Sequence, residues 1–398
     1  MFQTPWQVAM RARDPEEEGR VATTLELFFD LVFVVAVAFG ASELHHSVAA
    51  GANGGTIVSY AIVFFAIWWA WVNFTWFGSA YDAGDVTYRL AIFLGMTGAL
   101  ILAAGISRAF EEHDLRIALV GYAVMRVALV WLWLRAARSD VERRTTARRF
   151  AIGLSVVQVG WAVAVLAFDE LVVVLFVVLA ACELAVPVWA ESAGRTSWHQ
   201  EHIVERYGLF TIIVLGESIL SSSIAIQSAL SDAAPARDLA PVIVGGLLIV
   251  FSMWWLYFEM PRSDALTSMR RTFLWGYGHY LVWGAAAAVG AGLAIAVDEA
   301  AGHADIARSG AGASVAVPLA VFLLSVWGLH YSPSRDRAPI AWRTPAAAIL
   351  VLSTPSTGAA PLLSGLIMVV LLASKVVTQR RAAAPFDPPP EVSRRSER

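Results

Sequence analysis

Charge is what this 398-residue sequence has least of. Asp, Glu, Lys and Arg make up only 15% of the chain, where a soluble globular protein carries roughly 25%. Cysteine is nearly absent: Cys182 stands alone in an apolar stretch, which excludes an internal disulfide framework and any Cys-based metal cluster. The net charge of −3 and the lack of a long basic run exclude a nucleic-acid scaffold. No P-loop, Gly-x-Gly-x-x-Gly after a strand, Gly-x-Ser-x-Gly or His-Glu-x-x-His occurs, so no cofactor, metal or nucleophile site is expected. Apolar residues are abundant instead, at 58% of the chain with a mean hydropathy of +0.62. A soluble core of this size cannot hide that much apolar surface, so lipid is the natural solvent. The composition predicts a polytopic membrane protein.

Apolar stretches near the ~20 residues that a bilayer requires fall at 24–43, 56–77, 90–107, 115–134, 150–168, 171–190, 203–228, 240–260, 273–297, 311–330, 345–357 and 359–377. The first ten are clean. Pro345, Pro355 and Pro361 interrupt the last two, which also read as one re-entrant hairpin. Residues 1–20 include Glu16, Glu17 and Glu18 and lack an apolar core, so no cleavable signal peptide is expected. With twelve spans and the N-terminus inside, 23 of the 29 Lys and Arg residues fall in inner segments and four in outer loops, with Arg126 and Arg206 inside spans. Basic residues accumulate on the cytoplasmic side, so both termini are expected there, in the plasma (inner) membrane.

The expected organisation is an all-α integral membrane protein of about twelve transmembrane helices: a cytoplasmic segment 1–23, a first six-helix half 24–190, a linker 191–202, a second half 203–378 and a disordered tail 379–398. The halves resemble each other. Span 2 reads Trp68-Trp69-Ala70-Trp71-Val72-Asn73 and span 8 reads Trp254-Trp255-Leu256-Tyr257-Phe258-Glu259, with the polar residue at the same offset. Spans 1 and 7 open with Glu26 and Glu205, and spans 3 and 9 follow Arg89 and Arg271. Six spans separate each pair, so two parallel repeats are predicted. The competing explanation is a chance similarity of Trp-rich interfacial belts.

An ionisable group in the hydrocarbon costs about 2.5–3.5 kcal/mol on insertion scales, so each one needs a reason. Glu26 and Asp30 share a face of span 1 at i,i+4 spacing. In span 7, His202 and Glu205 are three apart, while Arg206 and Glu217, eleven apart, lie near one face. Arg126 in span 4 and Glu183 in span 6 fall at equal depth and suit a buried ion pair. Thr23-x-x-Glu26 fits a capping box, and acids in first turns suit the helix dipole, so Glu26 and Glu205 have a structural explanation. Asp30 and Glu217 lie too deep for it. Asn73 has a structural reading too, as an interhelical hydrogen-bonding residue, and Gly208, Gly216, Gly284, Gly290 and Gly292 suit close helix packing. By the expected topology Glu26, Asp30, Asn73, Arg89, His202, Glu205, Arg206, Glu259 and Arg271 gather at the inner ends of repeat-related spans. Such a set could build an inward-facing polar cavity, with Glu217 beyond it.

Two segments carry a family resemblance: Thr24-Leu25-Glu26-Leu27-Phe28-Phe29-Asp30-Leu31-Val32-Phe33-Val34, and the run from His202-Ile203-Val204-Glu205-Arg206-Tyr207-Gly208 through Leu215-Gly216-Glu217-Ser218. They strongly resemble the low temperature requirement A family of bacterial membrane proteins, as does the hydropathy profile over about residues 20–380. Tyr207 stands where that family leads one to expect Phe. The resemblance implies a multi-pass membrane protein linked to growth in the cold, and it supplies no substrate. One Lys against 28 Arg fits a GC-rich bacterial genome.

These readings favour a proton- or ion-coupled transporter of a small polar solute. Asp30 and Glu217 would carry the proton or cation, and Glu26, His202, Glu205 and Arg206 would form the inner gate. One alternative is an intramembrane enzyme using His202, Glu205 and Glu217 on a lipid or polyprenyl substrate. Another is a non-transporting sensor or structural protein whose acids only pair with arginines. Partners are therefore the lipid bilayer and a small solute or proton, with no nucleic acid.

Overall fold

A computed structural model describes residues 5–51, 54–168, 172–259, 268–330 and 342–383, and all regular structure among them is helical. The helices are α1 (Thr24–Ala49), α2 (Gly54–Tyr81), α3 (Val86–Ala104), the short α4 (Ile106–Glu111), α5 (Arg116–Ser139), α6 (Arg144–Ala167), α7 (Val172–Glu191), α8 (Gln200–Ser231), α9 (Ala236–Phe258), α10 (Met269–Ala301), α11 (Arg308–His330), α12 (Arg343–Ser353) and α13 (Ala360–Ala383). Eleven of them, all but α4 and α12, are long and apolar enough to cross a membrane. The protein is a multi-pass, all-α membrane protein. Residues 384–398, most of the expected disordered tail, lie outside the described residues.

The stretch 345–357 is where the chain departs from twelve regular crossings. The α-helix there, Arg343–Ser353, has only 11 residues, a rise of about 16 Å, roughly half the hydrocarbon core. Pro355 opens a 3-10 turn, Thr354–Thr357, because proline has no N–H to continue the α-helical ladder. Gly358, at φ 74°, then reverses the chain into α13.

Helix ends follow local chemistry. Thr23 and Glu26 form the capping box of α1, Asp85 caps α3 through the Tyr88 N–H at 2.8 Å, and Gly302 ends α10 in the left-handed region at φ 79°. Packing in lipid depends on close approach rather than on water exclusion, and glycines sit at the crossings. A Cβ on Gly121 of α5 would strike the backbone of Leu102 and Gly98 of α3; one on Gly292 of α10 would strike Ser314 of α11; one on Gly245 of α9 would strike Pro361 of α13.

The most enclosed spans are α10 and α2, with Trp69, Trp71 and Trp283 fully buried. Around them α1 packs directly on α8 and α10. Within the first half α1 packs on α3, α3 on α5, α5 on α6 and α6 on α7; in the second, α8 packs on α10, α10 on α11, α11 on α12 and α12 on α13. The Trp-rich segments nonetheless meet different surroundings. Trp68 is buried while Trp254 is 49% exposed, because α2 is enclosed by other helices and this face of α9 is not.

Ahead of α1, residues 5–23 form a strap across the bundle end where α1 and α8 begin. The Pro5 and Trp6 carbonyls accept from the Val86 and Thr87 N–H groups, and the Arg13 N–H donates to Ala80 O at 3.0 Å. Arg135 holds both Asp85 and the Val8 carbonyl, and Arg20 donates to Ser79 O at 2.6 Å. From the first turns of α8, His199 meets Glu17 O at 3.0 Å and Glu205 accepts from the Ala22 N–H at 3.1 Å.

Candidate functional site

The two helices that open against each other, α1 and α8, bring four ionisable side chains into one buried cluster. Arg206 grips Asp30 with two nitrogens, Nη2 at 2.5 Å from Oδ1 and Nε at 3.1 Å from Oδ2. Its Nη1 lies 2.9 Å from Glu26 Oε1. His202, one turn earlier on α8, places Nε2 3.2 Å from that same oxygen. Each pair sits at matching depth because α1 and α8 start at one end and 26 and 30, like 202 and 206, are one turn apart. The Trp71 indole of α2 donates to Asp30 Oδ1 at 2.7 Å, and the same ring lies 5.8 Å from the guanidinium carbon. Asp30 and His202 are fully buried, and Arg206 is 1% exposed.

Glu26 serves two purposes at once. Its Oε2 accepts from the Thr23 N–H and hydroxyl, closing the capping box, while Oε1 faces Arg206 and His202. Among the described residues no hydrogen bond of good geometry reaches Oε1, and His202 Nδ1 has no partner either. Beside them a cleft of about 10 Å³ is lined by Leu25, Glu26, Phe29, Phe74, Tyr88 and Arg206, among others. That is room for about one water. The cluster is closed.

A second buried charge pair lies in the first half. Glu183, with no exposure, accepts from Arg126 Nη2 at 2.7 Å, Trp69 Nε1 at 2.8 Å and Trp161 Nε1 at 3.2 Å, with the Tyr122 hydroxyl at 3.4 Å. Four donors around one carboxylate is a satisfied arrangement. Trp69 also walls a cavity of about 50 Å³ between α2, α5, α6, α7 and α10, with Asn73, Trp76, Trp133, Glu191 and Thr272 on its lining. Asn73 there donates to Trp69 O at 2.7 Å.

The remaining candidates are dispersed. Glu217 is half-buried on α8, about 16 Å along the axis from Arg206. Glu205 points to the strap rather than into the cluster. Arg89 and Arg271 are exposed, and Glu259 is half-buried at the end of α9. Among the described residues, no group of three or more His, Cys, Asp or Glu side chains is placed to hold a metal ion. Tyr122 and Trp161 were not singled out by the sequence, and Trp71 was read only as part of the Trp-rich segment of span 2. An indole that serves a carboxylate on another helix leaves no spacing signal.

Residues 21–378 match the family described as bacterial low temperature requirement A protein (LtrA). The chain belongs to the LtrA family. The two segments that carried the resemblance in sequence are the ones that meet in the Glu26–Asp30–His202–Arg206 cluster. An uncharacterized protein of Rhizobium meliloti (strain 1021) is 30% identical to this LtrA protein over 276 residues, and the match spans 65% of each chain.

Proposed function

We propose that this LtrA protein is a proton- or ion-coupled transporter of a small polar solute, and that the α1–α8 cluster is its coupling site. The observation that carries the reading is charge imbalance. Two carboxylates, Glu26 and Asp30, share one arginine, and among the described residues His202 is the other side chain that forms an ion-pair contact with them. With His202 neutral the cluster holds a net charge of −1; one bound proton makes it neutral. An uncompensated buried charge costs several kcal/mol, so the closed packing is tied to one proton, and losing that proton favours opening. A ligand-driven opening linked to proton release is the elementary step of coupled transport.

The enclosure of the cluster supports a resting, closed state. The matching helix pairings of the two halves support the parallel repeat, with α1 and α8 as its corresponding helices. The bundle end bearing the strap also carries the basic excess, which supports a cytoplasmic location for both termini in the inner membrane. Full burial of His202 speaks against an enzyme face open to lipid. One observation favours a sensor or structural role instead: every carboxylate and guanidinium of the cluster already has a partner.

Flux measurement separates the readings. Purified protein in liposomes loaded with a pH-sensitive dye is given a proton gradient and then the amino acids, sugars and salts of a minimal medium. Transport predicts that at least one component accelerates proton movement in wild type, and that His202→Gln reduces this at least tenfold. If no component moves protons, while His202→Gln lowers only the unfolding temperature, the cluster is a structural lock.

A further inference from the structure

The corner between α5 and α6 holds six arginines, 135, 138, 143, 144, 148 and 149, and only two acids, Asp140 and Glu142. Three of the arginines are committed. Arg135 is buried on Asp85, Arg143 faces both Asp140 and Glu142 at 3.4 Å, and Arg149 donates to Trp189 O and Ser192 Oγ with its guanidinium 5.2 Å from the Trp189 ring. The other three converge. Arg138, Arg144 and Arg148 line a groove of about 330 Å³ together with Leu134 and Ala137. Arg144 spends its Nε on Ala137 O at 3.1 Å; Arg138 and Arg148 are exposed and have no acidic partner among the described residues.

Two further features suit an anion. The first turn of α6 begins at this groove, and its N-cap, Arg143, gives no side-chain hydrogen bond to it; an uncapped helix N-terminus favours an anion through its free N–H groups and dipole. Beyond the arginines the surface turns apolar at once. Leu134, Val127 and Val120 continue the Arg138 face of α5, and Ile152, Val156 and Val159 continue the Arg148 face of α6, all of them exposed.

We propose that this groove binds an anionic phospholipid, its phosphate among Arg138, Arg144, Arg148 and the α6 N-terminus, and its acyl chains along the apolar faces of α5 and α6. Charge selects the headgroup, because three guanidiniums present paired donors that match phosphate oxygens. The apolar continuation selects a lipid over a free phosphate. Arginines that merely followed the inside bias would not need to share a groove.

Native mass spectrometry from neutral detergent tests this, with phosphatidylglycerol or phosphatidylcholine added at equal mole fraction. Wild type is expected to retain phosphatidylglycerol in preference. Arg138→Gln with Arg148→Gln should weaken that retention at least about tenfold, with the lipid-free unfolding temperature unchanged because both side chains are exposed. Arg143→Gln should bind as wild type. Equal retention of both lipids, or undiminished phosphatidylglycerol on the double variant, overturns the site. Displacement of the lipid by excess glycerol 1-phosphate would show a soluble-phosphate site and overturn the lipid assignment.

Discussion

Glu217 differs from Glu26, Asp30 and Glu183 in having no partner among the described residues. Glu26 and Asp30 share Arg206, and Glu183 has Arg126 and two indoles, so truncating any of these leaves a buried charge behind. Glu217 is half-buried, and its neutralisation orphans nothing. Glu217→Gln should therefore unfold within about 0.5 kcal/mol of wild type, as substitutions away from packed networks do, yet abolish pH-dependent activity if the acid carries protons. Glu217→Asp should keep part of it. Unfolding in detergent and growth in the cold between pH 5 and 8 are the measurements; a Gln variant that grows like wild type throughout makes this acid structural. Such a side chain is legible in sequence because its depth in an apolar run demands a reason. The Arg206 grip on Asp30 was less so. Periodicity placed each residue on a face, but only the mutual register of α1 and α8, 176 residues apart, brings the faces together.

Glycine marks the element scale. Of the glycines expected to permit close packing, Gly284, Gly290 and Gly292 do stand at helix crossings, where a Cβ would meet Phe64, Ser218 and Ser314. Gly216 does not: it is exposed, with nothing within 4 Å of a Cβ built there. The tightest crossing of the first half, Gly98 against Gly121, gave no signal, since neither glycine belongs to a repeated small-residue motif. Gly121→Ala has no flexible neighbour to displace, only the backbone of α3, so α3 and α5 must separate. A destabilisation of about 1–3 kcal/mol is expected, against a negligible or slightly favourable change for Gly216→Ala in the same helix-propensity terms. Denaturant unfolding in mixed micelles compares the two. Equal midpoints would mean that α3 and α5 yield without strain. The short α12 was legible as an irregularity, because prolines interrupt its apolar run; its 11-residue length was not, since proline restricts a helix without fixing where the next turn forms.

At the scale of the molecule, span number and orientation are separate questions. Composition forced a membrane protein, and ten spans followed from run length alone. The difference between twelve and eleven crossing-length helices leaves the direction of α13 unchanged. α12 and α13 form a hairpin, with Arg343 at the start of α12 bonded to Ser374 O and Thr378 Oγ1 near the end of α13. The chain therefore returns to the end where it began. Alkaline phosphatase fused after residue 383 should be inactive and green fluorescent protein fused there fluorescent, as for a cytoplasmic C-terminus. An active phosphatase would reverse the orientation and put the α5–α6 arginines on the outer face.

The strap also sets an order of events during synthesis. Ala22 is bonded to a residue 183 positions later, and at roughly 5–20 residues per second the ribosome needs on the order of 10 to 40 s to make that partner. Through that interval α1 carries Glu26 and Asp30 into the membrane with neither Arg206 nor His202 yet in existence. The strap can bond to α2, α3 and α5 as they are made, but Glu26 and Asp30 gain their cationic partner only with α8, halfway through translation.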